Sequence, residues 1–192
     1  MSAVLNVVSM KITQNYYLIV DLEATCTKDN SIPRHKMEII EIGAVLLNSR
    51  NLQIESEFQT FIKPILNPSL TDFCKSLTTI DQQEVDQAPL FPEALKSFQS
   101  WFYPFGSYLF CSWGDYDKNQ FKKDCKLHNV DYPFPGGHLN LKKAFSRFLD
   151  SPKKFGMAEA LNKLGIELEG VHHRGIDDAR NIARIIQQSL SR

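Results

Sequence analysis

The pattern of hydrophobic and polar residues divides the chain into an early part rich in strands and a later part rich in helices. Tyr16–Glu23 begins with an uninterrupted apolar run, which is typical of a buried strand. Further strands are predicted over Ile39–Asn48, Ile54–Ile62 and Ser107–Ser112. Because Asn48–Asn51 supplies a turn, we expect the first three strands to form an antiparallel meander.

Apolar residues at helical spacing predict helices in most of the remaining chain. One short helix is expected to start after Ser69, which can cap it, and to run towards Leu77. Longer helices are predicted over Phe91–Phe102, Asp117–His128, Leu139–Leu149, Gly156–Leu164 and Asp177–Leu190. Strands first, with helices interleaved later, predict an α/β fold in which helices cover a mixed sheet.

Composition places the chain among globular proteins. It has 192 residues, of which 43% are hydrophobic and 23% charged, and this excludes a disordered, collagen-like or coiled-coil protein. Such a length predicts a single domain over residues 1–192. The apolar runs are too short to span a membrane, and residues 1–10 lack the features of a secretion signal. Four cysteines without metal-site spacing are typical of free thiols in a reducing compartment, so we expect a cytoplasmic protein without a membrane partner.

The net charge of zero hides an asymmetry between the two halves of the chain. Residues 1–100 carry 12 acidic against 8 basic residues, and residues 101–192 carry 10 acidic against 14 basic residues. If some of the acids bind metal ions, a basic surface remains, which permits an anionic partner.

Two acidic residues lie at the end of the first predicted strand. Asp21 and Glu23 are two positions apart, so their side chains share one face of the strand. Two carboxylates on one face of a buried strand repel each other unless they are protonated, exposed or neutralised by a cation. The residues alone leave two interpretations open, a cation site or a strand end that has reached solvent.

Two further acidic segments follow later in the chain. Asp115 and Asp117 come directly after the fourth strand, and His173 precedes Asp177 and Asp178 at the start of the last helix. Each of these acids also fits a plain helix-capping role. Carboxylates that converge from a strand end and two helix starts would make a hard-oxygen site suited to Mg²⁺ or Mn²⁺. Two such ions assist phosphoryl displacement, and histidine is a natural base for the attacking water.

Taken in order and with their spacing, these motifs resemble those of the DEDDh 3′-to-5′ exonucleases of the RNase T and DnaQ type. Asp21–Cys26 is similar to the first exonuclease motif and Asp117 to the aspartate of the second. His173, five positions before Asp178, matches the third motif, H-x-x-x-x-D. The resemblance covers about residues 16–186 and is greatest for the Eri-type, KapD-like branch, which trims RNA 3′ ends. Two stretches support that branch, Leu70–Ile80 and Ile176–Arg184.

The resemblance implies an RNase H-like fold, with a mixed five-stranded sheet of three antiparallel strands plus parallel strands, flanked by helices. It also implies two Mg²⁺ or Mn²⁺ ions bound by Asp21, Glu23, Asp117 and Asp178, with His173 as the general base. The residues expected to contact the terminal nucleotide are Glu23, Ala24, Thr25, Leu77, Thr78, Ile80, Trp113 and His173. At one position the chain departs from the family, which often has glycine where this chain has Thr79.

The function that the resemblance predicts is metal-dependent shortening of single-stranded nucleic acid from the 3′ end, with RNA favoured over DNA and nucleoside 5′-monophosphates as products. One alternative is a catalytically silent nucleic-acid-binding or scaffold domain on the same fold, which would need a broken set of metal ligands. Another is a small phosphatase, although the sequence has no glycine-rich phosphate-binding loop to favour it.

Overall fold

The structure is a computed structural model that describes residues 10–191, so the expectation about a secretion signal falls almost entirely outside the described residues. Its centre is a five-stranded sheet with the strand order β3-β2-β1-β4-β5. The strands are β1 Tyr16–Ala24, β2 Ile39–Asn48, β3 Ile54–Phe61, β4 Tyr108–Ser112 and β5 His138–Asn140. β1, β2 and β3 form the antiparallel meander, and β4 and β5 add parallel strands beside β1. This arrangement confirms the mixed sheet that the sequence predicts.

Seven α-helices cover the two faces of the sheet in the described part of the chain. They are α1 Asp72–Thr78, α2 Gln82–Asp86, α3 Phe91–Phe102, α4 Tyr116–Leu127, α5 Leu141–Phe148, α6 Met157–Leu164 and α7 Gly175–Leu190. Side chains of β1 alternate between the faces: Tyr17 and Ile19 pack against α5, α6 and α7, whereas Leu18 and Val20 pack against α3 and α4. No helix within residues 10–191 is long and apolar enough to cross a bilayer.

Several predicted boundaries differ from the structure. Leu139, predicted as helical, belongs to β5, which pairs with β4, and Asn140 caps α5 by accepting a hydrogen bond from the Lys143 N–H at 2.9 Å. The cap of α1 is Thr71 rather than Ser69, since its hydroxyl accepts from the Cys74 N–H. The pattern also missed the five-residue helix α2, which is too short to show a period.

Thr79, the position where the family often has glycine, ends α1 in the left-handed region with φ of 57°. Glycine is favoured there because a β-branched side chain is strained at positive φ. The Thr79 carbonyl accepts a hydrogen bond from Arg174, the residue before α7. The strained residue therefore contacts the segment that carries the predicted histidine.

Candidate active site

The sheet and α7 bring three of the predicted acids together. Asp21 and Glu23 project from the end of β1 on the face that α7 covers, and Asp178 lies in the first turn of α7. One carboxylate oxygen from each of the three lies within 4.8 Å of the others. Glu23 and Asp178 are buried and Asp21 is partly exposed.

Asp117 reaches the same cavity from the first turn of α4. Its Oδ1 accepts a hydrogen bond from the Leu22 N–H at 3.2 Å, beyond the point where β1 stops pairing with β4. Asp115 instead forms ion pairs with Lys143 and Lys118 on the protein surface. Hydrogen bonds from these two lysines hold the pKa of Asp115 well below its usual range. The structure thus distinguishes two acids that the residues alone could not.

The two neighbouring histidines both line the cavity, and both contact Asp178. The His173 N–H donates to Asp178 Oδ2 at 3.1 Å, and His172 Nδ1 lies 3.0 Å from the same oxygen. The rings stack with centroids 4.0 Å apart. His173 has φ of 67°, a strained conformation that is found preferentially at functional sites.

Burial, followed by the neighbouring His172, lowers the pKa of His173 below its usual value. Its imidazole is therefore neutral at neutral pH, and a neutral imidazole has one nitrogen free to accept a proton. Asp177, one of the acids that fit a helix-capping role in the sequence, does not cap α7; it accepts from the Val171 N–H at 2.9 Å and pairs with Arg180. The helix begins two residues earlier, at Gly175.

Glu41 fixes the start of α7, and sequence reasoning missed it. This carboxylate lies opposite Glu23 in β2 and is fully buried. Its Oε2 accepts from the Gly175 N–H at 3.0 Å and lies 3.6 Å from Arg174 Nε, while Oε1 accepts from Gln59. The sequence does contain a signal for this role, because Glu41 is an acidic residue inside an apolar run. A buried acid needs hydrogen-bonding or charged partners.

Without a cation, the charged forms of these carboxylates are unfavourable in the folded protein. Burial and then the carboxylates of Asp117 and Glu23 raise the pKa of Asp21 well above its usual value. Burial, Asp178 and Glu41 raise the pKa of Glu23 to about 9. Burial also raises the pKa of Asp117 to about 6. Converging carboxylates, most of them buried, fit a hard divalent cation, so the residues present suit the metal that the motifs imply.

The cavity at these acids has a volume of about 300 Å³. Of the eight residues expected to contact a terminal nucleotide, five line it: Glu23, Ala24, Leu77, Trp113 and His173. Trp113 is otherwise packed in the core, and its indole N–H donates to the Phe155 carbonyl at 3.1 Å.

Three of the expected contact residues point their side chains elsewhere. The Thr25 hydroxyl accepts from the Glu38 N–H, the Thr78 hydroxyl donates to the Cys74 carbonyl, and Ile80 is in a small core cluster. All three side chains are buried. The residues that line the cavity but were not predicted as site residues are Leu22, Cys26, Met37, Tyr116, Met157 and His172.

Comparison with protein families agrees with the geometry. A family model described as Exonuclease (RNase_T) matches residues 18–186. The human protein "3'-5' exoribonuclease 1" is 38% identical over 184 residues, which are 92% of this chain and 52% of that protein. The chain therefore spans about half the length of this curated relative.

Solved structures of similar sequence share the fold closely. One is the nuclease domain of 3'hExo, a DEDDh family member bound to rAMP, with a TM-score of 0.86 and 35% identity over 92% of each chain. Another is a 3'-exonuclease with 3'-end specific recognition of histone mRNA stem-loop, with a TM-score of 0.88 and 34% identity over 95% of this chain and 66% of that one.

Proposed function

The chain belongs to the exonuclease (RNase_T) family, and we propose that it hydrolyses single-stranded RNA from the 3′ end and releases nucleoside 5′-monophosphates. The observation that carries the proposal is the convergence of Asp21, Glu23 and Asp178 within 4.8 Å, with Asp117 and His173 on the same cavity. The names of the similar proteins support RNA as the substrate.

Four carboxylates, Asp21, Glu23, Asp117 and Asp178, would hold two divalent ions, for which we propose Mg²⁺ or Mn²⁺ because oxygen-only ligand sets suit these ions. When bound, the ions supply positive charge that stabilises the attacking and leaving oxygens of a phosphodiester.

His173 acts as the general base for the attacking water. The position of the residue is set by its N–H bond to Asp178, and its ring is stacked on His172. A ring nitrogen accepts the proton of the water that attacks the terminal phosphodiester, and the bond to the leaving 3′ oxygen breaks. Burial keeps the imidazole neutral and ready to accept this proton at neutral pH.

A time course with labelled oligomers tests the proposal. Single-stranded RNA and DNA of one sequence, labelled at the 5′ or the 3′ end, are incubated with Mg²⁺, Mn²⁺ or EDTA. We expect stepwise shortening of 5′-labelled RNA, immediate release of the 3′ label as a mononucleotide, slower cleavage of DNA and no reaction in EDTA. Binding of RNA without cleavage under every condition would favour the alternative, a catalytically silent nucleic-acid-binding domain. A cytoplasmic location stays a prediction from the sequence.

A further inference from the structure

Two further cavities continue from the active-site cavity across the outer side of α4. The first shares Cys26, Met37 and Tyr116 with the active-site cavity and extends to Arg34. The second shares Arg34 and Tyr116 with the first and extends to Lys123. Their volumes of about 440 and 320 Å³ are in the range of ligand sites. We name this path, from Met37 past Arg34 to Lys123, the α4 groove.

Two acidic residues beside the α4 groove, Glu38 and Asp124, point into the protein and accept hydrogen bonds there. The buried Glu38 accepts from the N–H groups of Ile65, Leu66 and Asn67. The buried Asp124 accepts from the Ile39 N–H and from Gln120. Neither carboxylate therefore offers its charge to the groove.

Two basic residues, Arg34 and Lys123, line the same groove. Arg34 is exposed in the 3₁₀ turn Arg34–Lys36, and its guanidinium has no partner within residues 10–191. The Lys123 ammonium donates to the Arg34 carbonyl, which fixes this turn against α4. Asp115 lines the second cavity but is paired with both Lys118 and Lys143, so that one positive charge remains in surplus there.

We propose that the α4 groove binds the phosphates of a single-stranded RNA on the 5′ side of the bond that is cut. This inference rests on the proposed function, since a strand whose 3′ end occupies the active-site cavity must leave it along a continuous path. The groove is continuous with that cavity and presents cations. Of the acids beside it, Glu38 and Asp124 face inwards and Asp115 is paired with two lysines. A phosphate backbone binds mainly through such contacts with Arg and Lys. The groove thus sets the affinity for strands longer than the terminal nucleotides.

The test compares two double variants that each remove one arginine and one lysine. R34A/K123A removes the groove cations, and K11A/R50A removes a matched pair that lines a cavity on the far side, beside the residues of the β2–β3 turn. Two readouts are used: binding of a fluorescent twelve-nucleotide RNA measured by anisotropy across a salt series in EDTA, and cleavage of that RNA and of a dinucleotide with metal.

We expect R34A/K123A to bind the long strand about tenfold more weakly at low salt and to lose about 1.4 from the slope of log Kd against log salt, which corresponds to two phosphate contacts. Its loss of kcat/KM should be several-fold larger for the long strand than for the dinucleotide. K11A/R50A should match the wild type in both readouts.

Equal losses on both substrates, or an unchanged salt slope, would overturn the groove as a phosphate site. If no protein cleaves RNA but R34A/K123A still loses affinity and slope, the groove stands and the proposed function is wrong. Because Lys123 holds the Arg34 turn, the double variant could lose affinity through a displaced turn and not through lost charge. The single variant R34A, together with melting temperatures of all variants, separates these two causes. If the turn is displaced in the double variant and R34A alone leaves RNA affinity and the salt slope unchanged, the proposal is also overturned.

Discussion

The backbone of Gly43 in β2 touches the backbone of Gly175 at the start of α7. A β-carbon added to Gly43 would lie 2.0 Å from the carbonyl carbon of Gly175, and one added to Gly175 would lie 3.0 Å from the Asp21 carbonyl oxygen. Gly43 is also the residue that pairs with Asp21 across the β1–β2 ladder. This direct contact between two backbone segments lets α7 approach the sheet closely enough for Asp178 to reach Asp21.

Replacing Gly43 with alanine should therefore disturb both the fold and the site. The new methyl group meets backbone that cannot rotate away, so we expect G43A to lower the free energy of unfolding by about 3 kcal/mol or more. Gly136, which has nothing within 4 Å of an added β-carbon and an ordinary φ, supplies the control G136A. Chemical denaturation of both variants checks this, and equal stability of the two would contradict the close approach.

Part of the candidate site leaves a local signal in the sequence. Asp21 and Glu23 are recognisable because alternation along one strand puts them on one face, and His173 and Asp178 because they share a motif. Glu41 and Gly175 are 134 residues apart, and no local pattern reports their hydrogen bond.

Other features depend on side-chain directions that only the tertiary structure fixes. Thr78 and Ile80 lie beside the expected contact residue Leu77, yet both are buried while Leu77 lines the cavity. The choice of Asp117 over Asp115 depends on which acid the lysines neutralise. The strand β5 has three residues, too few for a period of two to stand out.

The two histidines should differ in their effect on catalysis. H173A removes the proposed base and should lower kcat by roughly 10²-fold or more, whereas H172A should cost much less because His172 stacks on that ring and pairs with Asp178. Steady-state kinetics of both variants with saturating metal measure the difference. Equal losses would show that the base has been assigned to the wrong ring.

Removing one acid should abolish turnover but stabilise the protein without metal. Burial and the neighbouring carboxylates raise the pKa of Asp21, which shows that its charge is unfavourable in the folded state. We expect D21N to have a higher melting temperature than the wild type in EDTA and no detectable exonuclease activity. A lower melting temperature with normal activity would make Asp21 a structural residue instead.

Glu23 should lower the stability of the folded protein more as the pH rises. The pKa of Glu23 is raised to about 9, so between about pH 5 and about pH 9 the folded protein retains a proton that the unfolded chain has lost. The stability contributed by this proton is lost as pH rises through that window. His173 and Cys74, whose pKa values are lowered, act in the opposite sense.

The effect of Glu23 can be isolated by comparing the unfolding free energies of the wild type and E23Q, because both proteins contain His173 and Cys74. In EDTA, E23Q should gain stability over the wild type steadily from about pH 5 to about pH 9. Added Mg²⁺ should reverse the advantage, because it neutralises the wild-type site. A difference that does not change with pH would contradict the raised pKa.

The most direct test of the account uses one RNA sequence in two forms, a linear strand with a free 3′ hydroxyl and the same strand closed into a circle. Both are incubated with Mg²⁺ and the wild-type protein, and with D21N purified in the same way as the control for contaminating nucleases. We predict that the wild type degrades the linear strand from its 3′ end to mononucleotides and leaves the circle intact, while D21N leaves both intact. Cleavage of the circle by the wild type but not by D21N would show that the site cuts within strands, and the 3′-end mechanism would be wrong.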